Sequence, residues 1–179
     1  MKWSNLLMIT IVCFVWMGCS NLMGEKILFD FETDEEMDRF HWKCHTLFTL
    51  SDEHVTHGSK SLRLEFYPSE YPGLAPIIKN ADWSKYRAFL FDVNNPQDWD
   101  ILVSIRIDDK KDHPNYADRY NSSFIIMPGT NTITIPFDSL ITSGTKRMLN
   151  LKMIYRVLVF MEQPKEKATL YFDYIRLAP

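Results

Sequence analysis

Alternation with a period of two, in short stretches cut by turn residues, constrains this chain more than any other feature. The clearest case runs from Ile101, where Ile101, Val103, Ile105 and Ile107 alternate with Leu102, Ser104, Arg106 and Asp108. Successive side chains of a strand point to opposite faces, so this stretch reads as a half-buried strand with its aliphatic face inward. The pattern recurs. Ile27, Phe29 and Phe31 share one face of residues 27–32, and residues 61–66 alternate after the turn His57-Gly58-Ser59-Lys60. Residues 40–49 read as extended, a weaker strand is expected near Ile77, and residues 87–93 form a strand closed by Asn94-Asn95-Pro96. Further strands are expected over 119–127, 132–135, 157–161 and 170–177. Thr33 and Glu36 have capping-box spacing, and residues 138–141 and 149–154 suit short helical turns. No helical stripe of useful length, low-complexity segment or internal repeat interrupts the series. Roughly ten short strands at regular spacing imply an all-β fold, and a β-sandwich fits them better than a barrel.

The N-terminus bears on the compartment. After Lys2, residues 6–17 form an uncharged, almost wholly apolar run of 12 residues. A bilayer-crossing helix needs ~20, so the run suits the core of a secretory signal. Gly18 and Cys19 close it, followed by the polar Ser20 and Asn21. A small residue before a cysteine at this point resembles the lipobox of bacterial lipoproteins, in which the cysteine receives a diacylglycerol and becomes the mature N-terminus. Trp16 departs from the aliphatic residue usual in that motif. The resemblance implies a signal peptide over 1–18, a tether over 19–25 with a lipidated Cys19, and one domain over 26–179. It implies a bacterial cell-envelope protein held to a membrane by lipid, and Ser20 after the cysteine resembles an outer-membrane address. The alternative is an ordinary cleaved signal with a chance cysteine.

Without residues 1–18 the chain has 161 residues, one domain's worth. Its 19 basic against 23 acidic side chains give no support for a nucleic-acid partner. Of three cysteines, Cys13 leaves with the signal and Cys19 would be acylated. Cys44 then has no partner for a disulfide, and burial must hold the fold. With 14% aromatic residues the chain has the means.

Several segments in order carry a second resemblance. They are Phe29-Asp30-Phe31-Glu32, Thr56-His57-Gly58-Ser59-Lys60-Ser61-Leu62-Arg63-Leu64, Asp82-Trp83-Ser84-Lys85-Tyr86 and Ile105-Arg106-Ile107-Asp108-Asp109. Pro128-Gly129-Thr130-Asn131-Thr132-Ile133-Thr134-Ile135-Pro136 and Leu170-Tyr171-Phe172-Asp173-Tyr174-Ile175-Arg176-Leu177 complete the set. Together they resemble the jelly-roll carbohydrate-binding modules of the galactose-binding-like type, those of family 11 above all. The resemblance implies a jelly-roll β-sandwich that binds a glycan or polysaccharide without catalysis. The same fold also hosts protein-binding and assembly-factor domains, so a structural or assembly lipoprotein with an envelope protein partner on the same sheet face is the alternative. The resemblance further implies a structural calcium between the first strand, the Gly-Ser turn and the last strand. Glu32 and Asp173 would be its side-chain ligands, with Asp30 as a substitute, and the turn would add carbonyls. Solvated edge carboxylates are the plain reading of the same residues.

His41, Cys44 and His45 invite a transition-metal reading, but on a strand four residues span ~13 Å and Cys44 faces away from both histidines. Cys44 is therefore expected in the core, and the histidines in solvent. Arg106 and Asp108 lie opposite the aliphatic face of their strand. If Tyr120 and Phe124 point inward, Arg119, Asn121 and Ser123 share an outward face too. Sugars are recognised by planar donors and carboxylates that bind hydroxyl pairs, with an aromatic ring against the C–H face. Tyr116, Trp99 and Tyr71 are loop aromatics placed to supply that ring. Ordinary polar decoration of an exposed sheet is the competing reading. Trp42 and Trp83 are expected to pack in the core or under loops. The sequence carries no Gly-rich phosphate loop, no Gly-x-Ser-x-Gly elbow and no His-Glu-x-x-His, so no catalytic role is expected.

Overall fold

The computed structural model describes residues 24–78, 82–111 and 114–179, without the side chains of His41 and Trp42. The expected signal peptide and Cys19 lie outside the described residues, as does the side chain of Trp42.

Two antiparallel sheets face each other. One contains β1 (Lys26–Phe29), β3 (Thr46–Ser51), β4 (Ser61–Phe66), β6 (Ala88–Asn95), β9 (Gly129–Pro136) and β11 (Ala168–Ala178). Its order is β3-β4-β11-β6-β9, with β1 pairing the far part of β11. The other contains β2 (Phe40–Cys44), β5 (Gly73–Pro76), β7 (Ile101–Asp108), β8 (Tyr120–Ile126) and β10 (Arg156–Phe160), in the order β2-β5-β10-β7-β8. This is the expected jelly-roll sandwich.

The core follows from the alternation. Leu62, Leu64 and Phe66, Phe89, Phe91 and Val93, and Leu170 and Phe172 project inward from the first sheet. Ile101, Val103, Ile105, Ile107, Val157 and Ile126 meet them from the second. Burying each such side chain contributes ~1.5–3 kcal/mol, and here no disulfide is needed. Trp83 is fully buried, stacked between Phe89 and Phe137 with ring centres 5.3 and 5.6 Å away.

Three expectations fail for local reasons. Residues 40–49 are two strands in different sheets, because His45 takes a left-handed conformation (φ 43°) and turns the chain across the sandwich. Phe29 and Phe31 are buried as expected, but Ile27 is exposed. A register shift between Ile27 and Phe29 against β11 breaks the alternation there. The weak strand near Ile77 lies just before it, in β5, and Ile77 itself is exposed. The helical turn after Thr33 does form, over Asp34–Arg39, but Thr33 makes no side-chain cap to its backbone.

Candidate functional site

The outer face of the five-stranded sheet is built in rows across β10, β7 and β8. Leu158 stands opposite Arg106, and Arg106 opposite Asn121. One row along, Phe160 stands opposite Ser104, and Ser104 opposite Ser123. One row the other way, Arg156 stands opposite Asp108. Because side chains alternate, each of these residues projects from the face opposite the core. Tyr120 is buried and Phe124 packs against the core, which puts Asn121 and Ser123 outward as the sequence implied.

A groove of about 670 Å³ runs over the first two of these rows. Its walls include two exposed tyrosines, Tyr71 at 48% and Tyr116 at 66% of full exposure. Each is held from behind. Tyr71 meets the ring of Phe160 edge-on at 6.2 Å, and its loop is tied to β10 by Met161 N donating to Pro72 O (2.9 Å) and Gln163 N to Glu70 O (3.0 Å). Ser143 Oγ donates to Tyr116 O (2.9 Å), and the amides of Gly144 and Thr145 donate to Ala117 O. Gly144 lies so close to Ala117 that a side chain would collide with it. Arg147 fastens the loop after β7, gripping Asp109 with two bonds (2.6 and 2.7 Å) and Asp118 with a third (2.5 Å). Lys110 also pairs with Asp118. These cations hold the Asp118 carboxyl far below the ordinary carboxylate range, first through Arg147 and then Lys110.

Asp108 departs from its expected role. It lies on the outward face but is fully buried, because Arg106 lies along the strand over it and Arg156 meets it from β10. Arg106 donates from Nε (2.8 Å) and Nη2 (2.5 Å), and Arg156 from Nη1 (3.1 Å). A carboxylate so enclosed orients the arginines and does not itself reach a ligand. Arg119 donates Nε–H to Pro114 O (2.6 Å) at the same end of the groove. Burial, and then the charge of Arg106, push its guanidinium below the ordinary value, while Asp108 opposes them. Asn121 Nδ2 is buried and has no hydrogen-bond partner.

The structure thus gathers Arg106, Arg119, Asn121, Tyr116 and Tyr71 around one groove. It does not bring Trp99 there: that residue sits in the turn before β7 and does not line the groove. No local pattern marked Arg156, Phe160 or Leu158, whose place depends on β10 pairing with β7.

The carboxylates expected to hold calcium do gather around the 56–60 turn, where Glu32 and Asp173 accept hydrogen bonds from it. Glu32 accepts hydrogen bonds from Ser59 N (2.7 Å), Ser59 Oγ (2.7 Å) and Lys60 N (2.8 Å). These bonds, the Ser59 hydroxyl's foremost, lower its pKa. Its contribution to stability is therefore present above the unfolded value and lost as pH falls through the folded one. Gly58 (φ 71°) lies against this carboxylate with no room for a Cβ. Asp173 accepts from Thr56 N (2.7 Å), His57 N (2.8 Å), Thr56 Oγ (3.2 Å) and Tyr174 N (2.7 Å). Burial raises its pKa against the pull of these bonds. Asp30 faces His57 Nδ1 at 3.9 Å. Among the described residues no three His, Cys, Asp or Glu side chains form a metal-binding group. As arranged, oxygens of Glu32 and Asp173 serve the turn as hydrogen-bond acceptors. Of the other residues that invited a metal reading, His45 is exposed as expected, and Cys44 is half-buried rather than in the core.

No protein-family model matches the sequence, and no curated protein matches it. Solved structures do. The chain is similar to a family 11 carbohydrate-binding module from Clostridium thermocellum, solved in complex with a β-1,3-1,4-mixed-linked tetrasaccharide. The TM-score is 0.68 at 18% identity, over 87% of this chain and 95% of that one. It is similar to part of an exo-β-agarase, with a TM-score of 0.70 at 20% identity, over 86% of this chain but only 25% of the agarase. A xylan-binding domain of family 22 aligns at a TM-score of 0.55 and 12% identity, over 87% of this chain and 94% of that domain. Likeness at these identities is likeness of fold: a two-sheet jelly roll that occurs both as a separate module and inside larger enzymes.

Proposed function

We propose that this chain binds a glycan, without catalysis, in the groove on its five-stranded sheet. The observation that carries the reading is the pair of exposed, braced tyrosines, Tyr71 and Tyr116, beside polar rows containing Arg106, Asn121, Ser104 and Ser123. A sugar ring presents C–H groups on its faces and hydroxyls at its rim. Aromatic walls and polar donors match those two demands, and a rigid scaffold reduces the ordering cost of binding. The similar modules bound to a tetrasaccharide or named for xylan support the same reading. Calorimetry against a panel of soluble polysaccharides tests it. Tyr71→Ala and Tyr116→Ala are each expected to weaken binding three- to tenfold, ~0.7–1.4 kcal/mol, with little change in melting temperature. A wild-type chain that binds nothing across the panel overturns the reading.

One observation favours the second reading, an envelope protein as partner. Leu102 and Ile125 stand opposite each other on the same outward face and are both more than half exposed, with Met127 at 60% nearby in sequence. Capture of one defined envelope protein by the wild type, lost on Leu102→Asp, would support it.

We further propose that Cys19 carries the lipid anchor and that the domain stands at a bacterial membrane surface, the outer membrane for preference. Cys19→Ala is expected to move the protein from the membrane fraction to the soluble one, or to stall its processing. Mass spectrometry that finds an unmodified N-terminus elsewhere removes this anchor.

A further inference from the structure

We infer that the glycan is anionic, and that Arg119 with Asn121 receives a carboxylate or sulfate borne on the sugar. The inference rests on the glycan reading above and names its substrate class. Two guanidinium groups, those of Arg106 and Arg156, converge on the single carboxylate of Asp108, and a third, that of Arg119, lines the groove beside Arg106 and Asn121. Arg106 and Arg156 divide Asp108 between them. The next carboxylates, Asp109 and Asp118, are both bonded to Arg147, and Asp118 to Lys110 as well. Glu162 lines the groove on the side of Phe160 and Tyr71, away from this cluster. Arg119 is therefore left with no carboxylate of its own among the described residues, only the Pro114 carbonyl on Nε. The repulsion it feels from Arg106 is what a bound anion would relieve.

Asn121 makes the second, independent contribution. Its Nδ2 is a buried donor with no partner, directly opposite Arg106 in the strand register. A buried donor left unmatched is costly, and an acceptor on a ligand would satisfy it. Planar guanidinium matches carboxylate or sulfate in two-point contact, with a further bond from the amide. The cluster is also local: the whole chain is acidic, with a net charge of −3, so general attraction to polyanions does not account for it.

Affinity electrophoresis and calorimetry with four polysaccharides test this. Polygalacturonate carries carboxylates and κ-carrageenan sulfates, while agarose and mixed-linkage β-glucan are neutral. At low ionic strength at least one anionic polymer is expected to bind ten times more tightly than either neutral one. That advantage should shrink several-fold by ~0.5 M salt, where screening is strong. Arg119→Gln should abolish the preference while the melting temperature stays put, and Arg119→Lys should keep part of it. Which anionic polymer wins tells carboxylate from sulfate. If a neutral polymer binds as tightly or more so, the anion inference falls and the glycan reading stands. If none of the four binds, and the wider panel also fails, both fall together.

Discussion

Asp108→Ala is expected to lower the free energy of unfolding by ~3–5 kcal/mol, a fall of roughly 10 °C in melting temperature for a chain of this size. Asp108 is fully buried and accepts three hydrogen bonds from two guanidinium groups whose side chains are only 14% and 19% exposed. Removing the carboxylate leaves two charges largely desolvated beside each other, with Arg119 a third of the same sign nearby. The sequence alone suggested that Asp108 would stand on an outward face and meet the ligand directly. Its burial reverses that expectation. Asp108→Asn, which keeps an acceptor but not the charge, should lose about half as much. Glycan affinity should also fall in both, through arginines that are no longer held in place. Urea titration with the groove empty separates the two roles. Loss of binding at unchanged stability would return Asp108 to the ligand's first contacts.

How far the site could be read ahead depends on the range of the interactions. Parity is local, so the outward placing of Arg106, Asn121 and Ser123 follows from alternation within β7 and β8. Their pairing, Arg106 opposite Asn121, required only that two consecutive strands form a hairpin-like pair. Arg156 and Phe160 could not be placed in this way. Phe160 reaches the groove, and Arg156 reaches Asp108, because β10 inserts between β5 and β7, and strand order leaves no local mark on a sequence. Asp108 was misread for the same reason, since one of the arginines that encloses it comes from β10. The break at His45 was missed for a different one: nothing in 40–49 but a single left-handed residue marks the passage between sheets. Tyr116 was legible only as a loop aromatic, and its firmness comes from the 143–145 segment. The acidic residues around the Gly-Ser turn were rightly grouped, but sequence shows neither which way an N–H points nor what a carboxylate accepts.

That last distinction has a measurable consequence at Asp173. Asp173→Ala is expected to cost ~3–5 kcal/mol, and by the same amount in millimolar calcium as in chelator. The side chain is 1% exposed and takes the backbone amides of Thr56, His57 and Tyr174 together with the Thr56 hydroxyl. Each buried donor left without a partner costs ~1–3 kcal/mol, and entering water would recover part of the total. Two further features lean on the same carboxylate. Tyr174 sits at φ 45°, in the register shift of β11 against β6, and Asp173 Oδ1 holds its amide there. Its ring stacks on His57 at 4.2 Å, so the turn and the last strand loosen together if the clamp is lost. A bound calcium would produce a different pattern. The ion would stabilise the wild type by ~2.7 kcal/mol at a hundredfold excess over its dissociation constant, and Asp173→Ala would erase that difference. Melting curves of wild type and variant, each with calcium and with chelator, therefore discriminate sharply. Coincident wild-type curves and a displaced variant pair identify a hydrogen-bonded clamp. A wild-type curve that shifts with calcium would show that the carboxylates reorganise around an ion, and would restore Asp30, Glu32 and Asp173 as its ligands.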